Sequence, residues 1–212
     1  MSATTGATPL KSTPGAPDRS AISLPGRAFW NQRETLASLR GRFEELCDAV
    51  GRPSDLFLFQ WAEMAAFALE FRPDLIVELG RGRGNSTCCF TEVANQLGGP
   101  EACRVVSMCL TDDWFQLTLP KVKQVVPESW FAPTSVKVGN ILKCDVTSLL
   151  RGAKRCLVFW DAHGFEVAEW MLSKFLPALA DRPHVVLMPD MSDTRYEGHA
   201  LEYGPTALWK GT

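Results

Sequence analysis

The run ELGRGRGNS, from Glu78 to Ser86, places three glycines at alternate positions after an acidic residue. Glycines at Gly80, Gly82 and Gly84 permit tight turns and let a ligand approach the backbone closely. A helix that begins directly after such a turn presents free N–H groups to that ligand. The run therefore predicts a turn that binds a small molecule.

The spacing of these glycines separates this turn from other glycine-rich loops. A dinucleotide-binding turn has the pattern G-x-G-x-x-G, whereas this one reads E-x-G-x-G-x-G. No Gly-Lys-Ser/Thr follows it, which disfavours a loop that binds nucleoside triphosphates. A nicotinamide-dependent oxidoreductase is therefore a disfavoured alternative.

A second group of polar residues follows two apolar runs that predict neighbouring strands. Asp161 and His163 end the first run, and Asp190 and Asp193 follow the second. One strand–helix–strand unit separates Asp161 from Asp190, so both carboxylates should lie at the same edge of a parallel sheet. Adjacent carboxylates repel each other unless a cation compensates them, and a hard divalent cation such as Mg²⁺ suits such oxygens.

These polar residues require a scaffold in which strands alternate with helices, and the apolar pattern predicts one. The runs that predict strands are 74–79, 104–108, 135–142, 155–160 and 184–188, and the first of them, closed by glycines, predicts a buried parallel strand. Helical periodicity occupies 85–97 and 166–180, while 112–126 is ambiguous because Pro120 interrupts it. The alternation predicts an α/β fold with a mainly parallel sheet.

The chain divides into three predicted parts. Residues 1–26 are rich in Ser, Thr, Ala, Pro and Gly, which predicts a disordered tail. Residues 27–72 predict two N-terminal helices packed on the core, the first ended by Gly51 and the second capped by Ser54. Residues 73–212 hold the alternating strands and form the predicted α/β domain.

The glycine-rich run resembles the first motif of class I S-adenosylmethionine (SAM)-dependent methyltransferases. That family has a Rossmann-like three-layer sandwich, in which this turn curves around the methionine part of the cofactor. The resemblance implies the same role for Glu78, Gly80, Gly82 and Gly84, with Ser86 in the first turn of the following helix. The alternative is a glycine-rich turn in some other α/β protein.

The resemblance also predicts where the rest of the cofactor would lie. The family places an acid at the end of its second strand for the ribose hydroxyls, and often a Gly-Asp after its third strand near the adenine. Here the first position falls near Met108 or Cys109, so Asp112 or Asp113 would have to reach back. A Gly-Asn pair ending at Asn140 matches the second position, and its amide can hydrogen-bond an adenine edge. Alternatively, the acids are solvated loop residues and the Gly-Asn pair is an ordinary turn.

The pair Asp161 and Asp190 resembles the metal site of metal-dependent small-molecule O-methyltransferases, and that of the cephalosporin-hydroxylase-like group. These families hold their metal with an Asp after the fourth strand and an acidic pair, or Asp-Asn, after the fifth. Met191 occupies the second place of that pair, so Asp193 or His163 would complete the ligand set. His163 is also the candidate base, where catechol-type enzymes carry a Lys. Alternatively, His163 and Asp193 are ordinary loop residues.

The resemblance implies methyl transfer from SAM to an oxygen of a small molecule, with Mg²⁺ as a second cofactor. Two alternatives are a hydroxylase-like enzyme of the same fold and a non-catalytic or truncated protein that binds cofactor or a partner. The family's sheet has seven strands, and the stretch after Asp190 leaves no room for the last two. We therefore expect a fragment, or an exposed fifth strand that a second copy covers in a homodimer.

The composition disfavours several classes of binding partner for this protein. The net charge of −2 gives no attraction for nucleic acid or anionic membranes. No apolar run reaches the roughly 18 residues of a membrane helix, and no signal-peptide core is present, which predicts a cytoplasmic protein. Seven cysteines without a CxxC pair predict buried reduced thiols rather than a zinc site.

Overall fold

The computed structural model of the protein describes residues 25–51 and 56–189. Its helices are α1 (Pro25–Asn31), α2 (Arg33–Val50), α3 (Leu58–Phe71), α4 (Asn85–Gln96), α5 (Leu119–Val125), α6 (Val146–Leu149) and α7 (Phe165–Trp170). Its strands are β1 (Leu75–Leu79), β2 (Arg104–Cys109), β3 (Thr134–Val138), β4 (Cys156–Trp160) and β5 (His184–Leu187). The predicted cap Ser54 and the predicted metal ligands Asp190 and Asp193 lie outside the described residues.

The five strands form one parallel sheet in the order β3-β2-β1-β4-β5. The chain builds outward from β1 to β3 on one side and then returns to place β4 and β5 on the other. This reversal creates a switch point between β1 and β4, and open α/β sheets bind ligands outside the carboxyl ends of the strands at such a point. The predicted α/β fold with a parallel sheet is confirmed.

The side chains of β1 alternate between two hydrophobic cores, as the two-residue period of a strand requires. Ile76 belongs to the core that α2, α3 and α4 cover, whereas Val77 belongs to the core that α6 and α7 cover. Helices therefore pack on both faces of the sheet, which gives the three layers of a Rossmann-like fold. The helix α3 is largely buried because its residues are apolar on most sides, and Trp61 is fully enclosed.

Several element ends differ from the sequence prediction, for local reasons. The single helix predicted to Val50 is broken at Gln32, whose φ of −95° and ψ of 6° are not helical. The third strand ends at Val138 instead of residue 142, because the Asn140 side chain accepts a hydrogen bond from the Leu142 N–H at 2.8 Å and starts a 3-10 turn. The helix predicted over 166–180 leaves α geometry at 171, ahead of Pro177, which has no N–H to donate.

All seven cysteines are free, and five of them are buried, as the sequence predicts. No helix in the described ranges is both long enough and apolar enough to cross a membrane. The strand β5 forms one edge of the sheet. Because the residues that follow 189 lie outside the described part, pairing of this edge in a homodimer stays a prediction.

Candidate functional site

A cleft of about 720 Å³ opens at the carboxyl ends of β1, β2, β3 and β4. This volume is within the range of small-molecule sites, roughly 300–1,000 Å³. The loop after each strand contributes to its wall, so the sheet topology itself brings distant parts of the chain together. The lining residues are Gly80, Gly82, Cys109, Leu110, Thr111, Asn140, Ile141, Leu142, Asp161, Ala162, His163, Gly164, Phe165, Glu166 and Val167.

The glycines of the turn after β1 serve different geometric needs, although all three have positive φ. A Cβ on Gly80 would lie 2.4 Å from the Ala162 nitrogen, so only glycine lets β1 and β4 approach this closely. A Cβ on Gly84 would lie 2.4 Å from a ring carbon of Trp114. Gly82 has a φ of 52° and nothing within 4 Å of its absent Cβ, so a side chain there would meet open space on the cleft wall.

Glu78 is fully buried behind this turn and does not line the cleft. Its carboxylate accepts hydrogen bonds from the Ser86 hydroxyl and, at 2.6 Å, from the Thr87 hydroxyl. Burial raises the pKa of Glu78, and the hydroxyls and the nearby Arg81 oppose that shift. Glu78 and Ser86 thus tie the end of β1 to the first turn of α4 and set the shape of the turn. Direct contact of either residue with a cofactor stays a prediction.

Arg81 is a site-forming residue that the sequence analysis missed. Its side chain is only 3% exposed. The guanidinium reaches across the sheet edge and donates to the carbonyl oxygens of Ser107 at 3.3 Å, Thr111 at 3.2 Å and Lys137 at 3.3 Å. Arg81 therefore joins the glycine turn to the ends of β2 and β3. The available signal was a charged residue inside a turn flanked by buried strands, since a buried charge needs partners.

We expect Arg81→Ala to lower the free energy of unfolding by about 3 kcal/mol, because the substitution leaves several buried carbonyl groups without their donor. Urea unfolding followed by circular dichroism measures this loss. The matched control is Arg104→Ala, since the exposed Arg104 makes one long hydrogen bond of 3.4 Å to the Arg151 carbonyl. Equal losses for the two variants would contradict the bridging role of Arg81.

Cys109 lies on the cleft wall at the end of β2, near the position where an acid was expected. Asp112 is not among the lining residues, and its carboxylate accepts a hydrogen bond from the Gln116 amide at 3.2 Å. The residues that this loop brings to the cleft are Cys109, Leu110 and Thr111. Although burial opposes the shift, hydrogen bonds from Thr111 and the Gly82 backbone, together with the charge of Arg81, lower the pKa of Cys109.

The thiol of Cys109 should react with iodoacetamide several-fold faster at pH 7.5 than that of Cys144, because the thiolate is the nucleophile. Both cysteines are half-buried, which makes Cys144 an internal control. Burial, the main cause, raises the pKa of Cys144, whereas that of Cys109 is lowered. Time-resolved peptide mass spectrometry gives both rates. Equal labelling would contradict the described surroundings of Cys109.

Asp161 and His163 lie on the cleft wall directly after β4. The backbone N–H of Asp161 donates to the Leu79 carbonyl at 2.7 Å, which fixes the residue beside the glycine turn. The Trp160 indole N–H donates to the Ala162 carbonyl at 3.0 Å, which fixes the backbone on both sides of Asp161. The structure thus brings the two predicted catalytic residues to the same cleft as Gly80 and Gly82.

The predicted metal site is only partly within the described residues. Asp161 lines the cleft, but Asp190 and Asp193 lie outside residues 25–51 and 56–189. Within those ranges, no group of three or more His, Cys, Asp or Glu side chains could hold a metal ion. The divalent cation therefore stays a prediction.

Two solved structures with a similar fold are methyltransferases. The O-methyltransferase TomG from Streptomyces achromogenes, involved in tomaymycin synthesis and solved with SAM, is 21% identical with a TM-score of 0.53, over 78% of this chain and 72% of TomG. The methyltransferase PaMTH1 from Podospora anserina, bound to S-adenosylhomocysteine (SAH), is 15% identical with a TM-score of 0.50, over 82% of this chain and 74% of PaMTH1.

The matched region covers a smaller part of CmcI. A CmcI structure with Mg and SAM is 19% identical with a TM-score of 0.44, over 66% of this chain and 54% of CmcI. This chain thus spans about half the length of CmcI. No protein-family description matches the sequence, and no curated protein matches it. At these identities, the likeness to TomG and PaMTH1 shows the fold alone, a Rossmann-like α/β fold that this chain shares with these two methyltransferases.

Proposed function

We propose that this chain, whose fold is that of the class I methyltransferases, binds SAM in the cleft and transfers its methyl group to an oxygen of a small molecule. The observation that carries the proposal is the glycine turn. Gly80 and Gly82 line the cleft at the carboxyl end of β1, and the space beside Gly82 is open. An exposed backbone at this place suits a ligand that lies directly against the chain.

The loops around the cleft support a specific orientation of the cofactor. The methionine part would lie against Gly80 and Gly82, and the adenine would lie near Asn140, which lines the cleft beyond β3. The ribose would lie between them, beside the Cys109 thiol and the Thr111 hydroxyl. A hydroxyl or thiolate can accept a hydrogen bond from a ribose hydroxyl, although with less charge than the carboxylate usual in this family.

Methyl transfer from SAM is a displacement at the methyl carbon. The acceptor oxygen forms a bond to that carbon while the carbon–sulfur bond breaks, and its electron pair stays on sulfur, which yields the neutral thioether SAH. The protein must hold the two reactants in line and take the acceptor's proton. His163 is the candidate proton acceptor, because it lines the cleft two residues after Asp161 and its imidazole can take up a proton.

We also propose that the site holds a divalent cation. Asp161 would contribute one ligand, and Asp190 and Asp193 would contribute the others. Such a cation would lower the pKa of the acceptor hydroxyl and orient it. Among these acids, only Asp161 lies in the described structure.

Isothermal titration calorimetry of the full chain with SAH and with NAD tests the cofactor. We expect SAH to bind with a dissociation constant in the micromolar range and NAD not to bind. Preferential binding of NAD would overturn the proposal. Tritium transfer from labelled SAM to a panel of phenols and sugars then separates catalysis from binding. Binding of SAH without transfer to any acceptor would favour the alternative of a non-catalytic binding protein.

A further inference from the structure

The part of the cleft beyond the glycine turn has apolar and acidic walls. Leu110 is 70% exposed and Phe165 is 68% exposed, and both line the cleft together with Val167. Exposed apolar side chains that converge on one cavity favour a ligand with an apolar or aromatic body. The loop after β2 supplies Leu110 and the start of α7 supplies Phe165, so the apolar surface is not confined to one segment.

The charged residues on the described walls are acidic. Asp161 and Glu166 line the cleft beside the basic side chain of His163, and no Lys or Arg lines it within residues 25–51 and 56–189. Of the two arginines in the glycine turn, Arg81 is buried and bonded to backbone carbonyls, and Arg83 does not line the cleft. An acceptor with a carboxylate, phosphate or sulfate would therefore meet the negative charge of Asp161 and Glu166 without a Lys or Arg on the described walls to compensate it.

We propose that this cleft takes acceptors that are uncharged or cationic and have an apolar or aromatic body, and that Glu166 is the residue that excludes anionic ones. This inference rests on the function proposed above. Asp161 would be neutralised by any cation that it holds, whereas Glu166 is an exposed residue in the first turn of α7 and lines the cleft. Glu166 thus gives the cleft its negative charge toward the acceptor.

A matched pair of fluorescent probes tests the inference without a known acceptor. N-phenyl-1-naphthylamine is uncharged, and 1-anilinonaphthalene-8-sulfonate has the same ring system with one negative charge. The ratio of their dissociation constants is measured with the full chain saturated with SAH. We expect Glu166→Gln to shift this ratio about three- to tenfold in favour of the anionic probe, since one nearby negative charge is removed.

Glu169→Gln is the matched control, because Glu169 is an exposed residue of the same helix that does not line the cleft. The ratio should stay within twofold in this variant. The effect of Glu166 should also shrink at 0.5 M salt, which screens a charge but does not correct a structural defect. Equal shifts for both variants, a shift insensitive to salt, or failure of both probes to bind would overturn the inference.

The results distinguish an error in the proposed function from an error in the inference about Glu166. If calorimetry shows no SAH binding, the proposed function is wrong, and the probe ratio is then measured with the free chain. If SAH binds and the ratio is unchanged in Glu166→Gln, the cofactor assignment stands and the charge selection is wrong.

Discussion

Replacing Gly82 with alanine should weaken SAH binding about ten- to hundredfold, because a methyl group would then occupy the space where the ligand meets the backbone. Overpacking of this kind costs about 1–3 kcal/mol, and each 1.4 kcal/mol is a tenfold change in affinity. The free energy of unfolding should fall by only about 1–2 kcal/mol, the cost of a left-handed φ for an L-residue. Calorimetry with SAH and urea unfolding measure the two effects.

Gly152→Ala is the matched control for the backbone effect. Gly152 has a φ of 76° and nothing within 4 Å of its absent Cβ, and it does not line the cleft. Its alanine variant should lose similar stability and bind SAH as the unchanged chain does. Gly80→Ala should instead destabilise the fold strongly, because its Cβ would lie 2.4 Å from the Ala162 nitrogen. Unchanged SAH affinity in Gly82→Ala would contradict the placement of the cofactor.

Asp161→Asn should lower the rate of methyl transfer at least about a hundredfold, the scale of losing an acid, base or metal ligand that acts on the reacting group. The amide keeps the size of the carboxylate, and the backbone bond from residue 161 to Leu79 is unaffected. The affinity for SAH should therefore change less than threefold. Dependence of the remaining rate on Mg²⁺ should be lost with the carboxylate.

Tritium transfer to the phenol and sugar panel gives the rates, and calorimetry gives the affinities. Asp112→Asn is the matched control, because Asp112 also follows a strand but does not line the cleft. That variant should keep its rate within about twofold. An equal loss of rate in both variants, or a loss of SAH binding in Asp161→Asn, would contradict the assigned role of Asp161.

The sequence predicted the parts of the fold that depend on local pattern. The strands β1, β2, β4 and β5 are short, mainly apolar runs, whereas β3 alternates valine with polar residues. The glycine turn after β1 followed from its spacing. The ends of elements were less predictable, because single contacts decide them. The strand β3 stops early because of one hydrogen bond between Asn140 and Leu142, which leaves no mark in hydrophobic periodicity.

The candidate site was predicted where its residues follow strands directly. Gly80, Gly82, Asn140, Asp161 and His163 all line the cleft, because parallel strands end at the same edge of the sheet. The contacts that cross between strands could not be predicted in this way. Arg81 bonds to residues of β2, β3 and the loop after β2, and only the folded chain brings these together.

The acceptor side of the cleft could not be predicted from the sequence either. Glu166 and Phe165 were predicted to lie at or beside the start of a helix, but nothing in their spacing indicated that they line the same cavity as the glycine turn. Their position depends on the loop after β4, which the Trp160–Ala162 hydrogen bond holds in place. The positive φ of Gly164, 115°, then directs the chain into α7.

The most direct test of the cofactor's position is a crystal structure of the full chain grown with SAH. We predict that the amino-acid part of SAH contacts the backbone at Gly82 and that its sulfur faces the cavity bounded by Asp161 and Phe165. Density for SAH at any other place, with the Gly80–Gly82 backbone closed against neighbouring side chains, would contradict the account.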